Sequence, residues 1–590
     1  MIRTFVPVVG VALSLACALA PVGCGGDDGG VPMDQPDATP LPTPDAALDT
    51  DAALSALQVS AGTLSPPYTI AVEDYRVTLS LLADSITVTA TARSELATIL
   101  VNGTQVVSGQ PSELIPAAPG DSLVTVEVIA EAGNRQTYTI SIDRTLDAVE
   151  QRYVKPTTPD SGDQLGAAVA LDGELMAMGA PFESSGNPDD PADNSAIESG
   201  AVLVFRREGP SWMPDAYLKA SNLGDFDHFG SAVALDGDTL AVAAVGESSA
   251  DPANPDDNGA ESSGAVYVFR RDGTSWVEEA YLKAESPGAN DAFGTSLALA
   301  GDLLAVGAPS EDSADPADPS NNGALNSGAV YVFQRSGDQW QQVAYLKASN
   351  LDAGDAFGAS LGLDAGALAV GATGEDSADA ATPDDDSLGA AGAVYVFEQG
   401  VGAWDEVAYL KPGTIDGNDA FGTSLGLLGD TLVVGTPGED SGKPGNSADN
   451  GLSDSGAVFV FVRTESGWGQ RAYLKAGNPD VNDRFGTTLA LDQVGMVVNA
   501  PGEDSGSANE PDDDGTSDSG AVYLYLGQQG TWSQAAYLKA ANAEANDSFG
   551  AALSITLGAL AVGAPQEDSG VKVSPFDNTA AESGAVYVFE

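Results

Sequence analysis

Apolar side chains recur at every second position along most of this chain, the period of a half-buried strand rather than a helix. Ile86–Ala90, Val124–Val128 and Tyr138–Ile142 show the alternation first, with turn signals at Asn102-Gly103, Pro119-Gly120-Asp121 and Gly133-Asn134. Residues 54–145 therefore read as a small antiparallel β-sandwich. Beyond it the alternation acquires a strict long period. The tyrosine of a Y-[LV]-K tripeptide stands at Tyr153, Tyr217, Tyr281, Tyr345, Tyr409, Tyr473 and Tyr537, one step of 64 residues each time. A D-x-[FL]-G motif keeps the same step, with Asp163, Asp227, Asp291, Asp355, Asp419, Asp483 and Asp547 and the marker glycines Gly166, Gly230, Gly294, Gly358, Gly422, Gly486 and Gly550.

One copy shows what each repeat builds. Phe293-Gly294 opens a first strand, Gly301-Asp302 turns it, Leu304–Ala308 forms a second, Ala329–Phe333 a third and Trp340–Lys347 a fourth. Four antiparallel strands make a propeller blade, so the expectation is an all-β chain with a seven-bladed β-propeller over residues 149–590. The repeat region opens on a fourth-strand segment, Gln151–Lys155, and Glu590 follows a third strand. The N-terminal strand should therefore complete the last blade and remove the ring's open edge.

The F-G motif, the G-A-P of Gly179-Ala180-Pro181, Gly307-Ala308-Pro309 and Gly563-Ala564-Pro565, and the recurring G-A-V-Y-V-F resemble the FG-GAP repeat of integrin α-type propellers. Ala243-Ala244-Val245 and Asn499-Ala500-Pro501 depart from the middle motif. That resemblance implies an extracellular binding or adhesion propeller. Such blades often carry a calcium loop between strands one and two, because the ion needs about six to eight oxygens on a long turn. Asp236-Gly237-Asp238 and its equivalents are two-residue hairpins, so calcium at that position is not carried over. The runs LSALQVSAGTLSP, VTVTATA and RQTYTISIDR resemble the bacterial cadherin-like β-sandwich, which implies a spacer or adhesion role.

The N-terminus reads as export machinery. Arg3 and the apolar run from Phe5 to Ala20 form a signal segment, residues 1–23, too short for a stable membrane span. Pro21-Val22-Gly23-Cys24 resembles a bacterial lipobox, with Pro21 where an aliphatic residue is usual. It implies lipidation at Cys24, with Cys17 as the alternative acceptor, and hence an exported lipoprotein held at the outer membrane or cell surface by its lipid anchor. Residues 24–53, rich in Gly, Asp and Pro, form an acidic linker that cannot bury enough surface to fold.

A formal net charge of -63 excludes nucleic acid as a partner and leaves metal cations or basic surfaces, or else a simple solubility role. Glu183, Glu247, Glu311, Glu375, Glu439, Glu503 and Glu567 recur after strand two, and Asp193, Asp257, Asp385, Asp449, Asp513 and Asp577 open Asp/Asn pairs ten residues later. Together with the D-x-[FL]-G aspartate these form either an oxygen cage for Ca2+ in each blade or caps on the backbone of a long loop; the spacing matches no established metal loop, which favours caps. No other cofactor is expected. The recurring tryptophans, Trp212 to Trp532, suit blade-to-blade packing better than sugar stacking. Lys155, Lys219, Lys283, Lys347, Lys411, Lys475 and Lys539 read as guards on the outermost strands. A lone histidine, His228, and no surviving thiol give no catalytic set, so the chain is read as a non-enzyme. The expected protein is a monomeric surface binder of an extracellular protein or glycan; the alternative is an inert structural display element of the cell envelope, and a carboxylate-based hydrolase stands third.

Overall fold

Alternation dictates strands, and in the computed structural model every regular element among the described residues is a strand. Residues 48–590 are described, except 81, 84, 118–121, 146–150, 157–158, 210, 529–530, 557 and 571–574. The expected signal segment 1–23, Cys17, Cys24 and nearly all of the expected linker 24–53 lie outside the described residues.

The first domain is a sandwich. One sheet runs, in spatial order, Leu64–Ser65, Asp74–Ser80, Arg135–Thr145, Ser122–Ile129, Thr98–Val101 and Thr104–Val106. Val124, Val126 and Val128 from its centre pack with Leu54, Leu57, Ile86 and Val88 from two shorter strand pairs opposite. Tyr138 is fully buried in this core, and its hydroxyl accepts the Leu54 N–H at 3.1 Å. The expected all-antiparallel pairing is corrected at one place: Arg135–Thr145 runs parallel to Asp74–Ser80. The long connection between those two strands supplies the crossover that parallel neighbours require. Leu82 leaves the sandwich to join the propeller core beside Ile555 and Leu560, and its carbonyl accepts the Gly558 N–H at 3.2 Å.

Each 64-residue repeat forms one four-stranded antiparallel sheet, seven in all among the described residues. In the third, the strands are Ser296–Ala300, Leu303–Ala308, Ala329–Ser336 and Gln339–Leu346. Their cores are shared between neighbours. Ala241, Ala243, Val266 and Val268 of the second sheet pack with Leu304, Val306, Tyr331 and Phe333 of the third. The equivalent layer joins the last sheet to the first, where Ala561, Val586 and Val588 meet Met176, Met178 and Phe205. The marker glycines sit where sheets approach most closely. Gly358 has φ +94°, and a Cβ there would stand 2.6 Å from the Ala329 carbonyl oxygen of the preceding sheet.

Closure occurs as the sequence phase requires. Gln151–Val154 pairs antiparallel with the C-terminal strand Ala585–Phe589, Tyr153 opposite Tyr587, and the Leu171 N–H of the first sheet donates to Ser554 Oγ of the last at 2.9 Å. A chain beginning at Pro156 should expose Ala585–Phe589 as an open edge. The expected outcome is a lower unfolding midpoint and concentration-dependent association by light scattering; an unchanged monomer would contradict the clasp.

Candidate functional site

The face of the ring that carries the loops between strands two and three, and those between strand four and the next strand one, is organised around a buried charge. Strand four ends on a leucine such as Leu346, and the lysine that follows turns inward beneath the two–three loop. Lys347 Nζ donates to Glu311 Oε2 at 2.7 Å and to Ser327 Oγ at 2.7 Å. The pairing recurs in all seven sheets: Lys219–Glu183, Lys283–Glu247, Lys411–Glu375, Lys475–Glu439, Lys539–Glu503 and, across the ring closure, Lys155–Glu567. No side chain in these pairs is more than 5% exposed. The lysines therefore do not guard sheet edges, as their place on the outermost strand suggests. Each is sealed inside, where burial lowers its pKa against the opposing pull of its glutamate.

Each glutamate is engaged on both oxygens. Glu375 meets Lys411 and the Ser377 N–H through Oε2, and accepts from Tyr409 at 2.7 Å and from Asn350 Nδ2 at 3.2 Å through Oε1. Asn350 also donates to the Pro383 carbonyl at 2.7 Å, which ties the incoming loop to its own two–three loop. The same incoming loop is bonded to the preceding one, Gly354 N to Leu325 O at 2.9 Å and Phe357 N to Ser327 O at 3.1 Å. Successive loops are thus stitched into a continuous ring.

The D-x-[FL]-G aspartates cap this stitch. Asp355 accepts the Asp352 N–H at 2.8 Å, and its six counterparts accept from the residue three positions earlier in the same way. Burial first, then the neighbouring glutamate, pushes Asp355 up to about 7, with the backbone bond opposing. Asp163, Asp419, Asp483 and Asp547 also reach about 7, and Asp227 and Asp291 about 6.

The pair-opening aspartates stand further out and hold local turns. Asp193 accepts from Ser195 Oγ at 2.7 Å, Asp385 from Ser387 Oγ at 3.0 Å, and Asp449 pairs with Lys443 at 2.8 Å. The backbone carbonyls of Asp257 and Asp577 accept the Ala250 and Gly570 N–H groups, and Asp513 N donates to Glu510 O. Among the described residues no three His, Cys, Asp or Glu side chains are grouped as a metal site. Carboxylates do crowd at the outer rim: exposed Asp352 is raised by partial burial and then by Asp386 and Asp384, and Asp480 by burial and then by Asp514 and Asp512. Asp480, Asp483, Glu503, Asp504 and Asp514 line a polar hollow of about 200 Å³.

Other candidates resolve into structure. Trp212 and Trp340 are buried in inter-sheet cores, and the indoles of Trp212, Trp276 and Trp340 donate to Glu590, Asp215 and Glu279 of the preceding sheet. His228 sits half-buried against Glu198, 3.2 Å away, and edge-on to Phe182. The one–two hairpins are two-residue turns, Asp236 opposite Thr239, and Asp172 uses its carboxylate to accept the next hairpin's Gly237 N–H. Sequence reasoning missed the lysine–glutamate–serine stitch. Its signal was present: opposite charges recurring at fixed separation in every repeat.

Six segments, residues 212–269, 276–333, 340–397, 404–461, 468–525 and 532–589, match the FG-GAP repeat, and residues 54–145 match the cadherin-like beta sandwich domain. The FG-GAP matches cover more than half of the chain, which belongs to that repeat family. Each runs from the fourth-strand tryptophan of one sheet to the third strand of the next, and the matches begin at Trp212, after the first three strands of the first sheet. Both domain types fit a binding or adhesion protein. A relative from Evansella cellulosilytica, named "Putative membrane protein", is 31% identical over 94 residues, which is 16% of this chain and 14% of that protein's length. Among the described residues no helix is long and apolar enough to cross a membrane.

Two outcomes follow from the stitch. Lys347→Met should cost about 3–5 kcal/mol, because it strands Glu311 as a buried charge, whereas Lys347→Met with Glu311→Leu should recover most of the loss. Hydrogen exchange of peptides from that sheet reads both. An unfolded aspartate ionises near 3.8, so between pH 4 and 7 the folded ring holds protons that the unfolded chain has released. The unfolding midpoint should therefore rise on acidification from pH 8 to about pH 5 and fall as pH climbs through 7, and Asp355→Asn should flatten that slope.

Proposed function

We propose that this is a surface-anchored, non-catalytic binding or adhesion protein whose acidic loop face engages a basic patch on an extracellular protein, glycan or matrix component. The observation that carries the reading is the stitched loop ring. It holds an excess of outward carboxylates on a rigid frame, so a ligand meets a pre-formed surface and little ordering entropy is lost on binding. Cys24 lipidation and the acidic linker fit this arrangement by giving the ring a membrane tether with reach. Ca2+ belongs to the proposal only as a counter-ion drawn to the acidic rim as a whole, since the lysine-bound Glu375 and its counterparts are already satisfied.

Whole-cell pull-down and glycan arrays test the reading, with millimolar Ca2+ and with chelator. Substituting Asp384 and Asp386 by Asn, with the same change at Asp512 and Asp514, should weaken ligand capture at least tenfold while leaving the fold intact. Unchanged capture would move the site to the sandwich or to the opposite face. An unfolding midpoint indifferent to Ca2+ would remove the ion from the proposal.

A further inference from the structure

Six of the seven sheets fill the space beneath the loop stitch with four rings. In the second sheet these are Phe229, Tyr267, Phe269 and Tyr281, with Phe229 edge-on to Tyr267 at 5.3 Å and to Phe269 at 6.0 Å, and Tyr267 edge-on to Tyr281 at 5.3 Å. The seventh sheet completes its set with Tyr153 from the clasp, 5.4 Å from Tyr587. In the first sheet the equivalent positions are Leu165, Leu203, Phe205 and Tyr217. Two rings have been replaced by branched aliphatic side chains, and all four residues line a cavity of about 350 Å³. A volume of that order lies at the lower end of the range for small-molecule sites.

The first sheet differs in one further respect. The equivalent tyrosine hydroxyl elsewhere bonds a glutamate or serine of its loop, as Tyr153, Tyr281, Tyr345, Tyr409, Tyr473 and Tyr537 do. The Tyr217 hydroxyl is buried and makes no well-formed hydrogen bond, although Glu183 and Ser185 both stand near enough to act on it. A buried hydroxyl with only strained partners is costly and lowers the cost of admitting a ligand that satisfies it better. Asp163 and Glu183 also border the space, and Glu183 is already held by Lys219, so the site has no cation free for an anionic ligand.

We propose that this cavity is a binding site for a small neutral phenol, a single aromatic ring that takes the place of the missing Phe–Tyr pair and hydrogen-bonds Tyr217 through its hydroxyl. The six complete sheets show what the space accommodates: edge-on rings around Phe205 and Tyr217 equivalents, with a polar group at the loop end. Its lining comes from the first sheet together with Pro156 and Ser583 of the closure, and includes none of the rim carboxylates Asp352, Asp384 and Asp386.

The full chain titrated with p-cresol tests this, by calorimetry and by saturation-transfer NMR, with benzoate as the anionic control. Saturable p-cresol binding with a raised unfolding midpoint is expected, and none for benzoate. Leu165→Phe with Leu203→Tyr restores the ring quartet; it should abolish p-cresol binding and raise the ligand-free midpoint. If that double variant fails to fold, Leu203→Tyr alone is read in the same way. Tyr217→Phe should weaken p-cresol roughly fivefold and leave toluene unaffected. Absent p-cresol binding, or equal binding by the filled variant, overturns the proposal. So does uptake of a tyrosine-bearing peptide in the absence of p-cresol binding, which would assign the cavity to a protein partner.

Discussion

A lysine ammonium taken out of water at the end of every fourth strand sets the terms for the loop face. Its desolvation is offset only where a carboxylate and further hydrogen-bonding groups stand at bonding distance, and the glutamate that answers it must in turn be satisfied on its second oxygen. Tyr409, Asn350 and the Ser377 N–H do this for Glu375. Satisfying one charge therefore fixes a strand end, the start of the two–three loop and the loop arriving from the previous sheet, and in the six sheets that carry the serine the far end of the two–three loop as well. Buried ion pairs contribute little net stability, but a misplaced one is expensive, so their effect is to make a single arrangement of long polar loops much better than its competitors.

That effect accounts for how a chain with so many glycines and acidic residues presents a defined surface. The two–three loops contain few large apolar groups, and their own packing would not hold them. Their order comes from below, through the lysine, and from the side, through backbone bonds such as Gly354 N to Leu325 O. The buried aspartates add a price in neutral solution, since Asp355 and its counterparts are kept near protonation by burial. The stitch is therefore best satisfied where these buried aspartates hold their protons.

The repeat period made the strands, the clasp and the seven sheets legible, because strand alternation and a constant 64-residue step leave little freedom in phase. It also located Trp340 and its counterparts correctly, since a large ring recurring in six of the seven sheets has to be packed somewhere. What the period does not give is direction. Lys347 follows an outward-alternating strand, and one more step of alternation places it in water; the chain instead turns after Leu346 and carries the ammonium inward to Glu311. Recurrence of Lys, Glu and Ser at fixed separations was visible, but only three-dimensional proximity shows them to be one unit. The parallel pairing of Arg135–Thr145 with Asp74–Ser80 was hidden for a similar reason, because alternation looks the same in either strand direction.

The departures of the first repeat fall at the one interface that cannot form between sequential neighbours. Six inter-sheet layers join a sheet to the next one along the chain, whereas the seventh must accept whatever small misfit the other six have accumulated. A layer of interlocked rings tolerates little displacement, because close-packed aromatic contacts are lost over fractions of an ångström. At this interface Met176 and Met178 stand fully buried where the second sheet has Leu240 and Val242, and Leu165 and Leu203 stand where it has rings. Unbranched thioethers adapt to irregular gaps, and aliphatic side chains leave slack that rings would not. The same slack that lets the circle close leaves the cavity beside Tyr217, so closure and cavity have one physical origin.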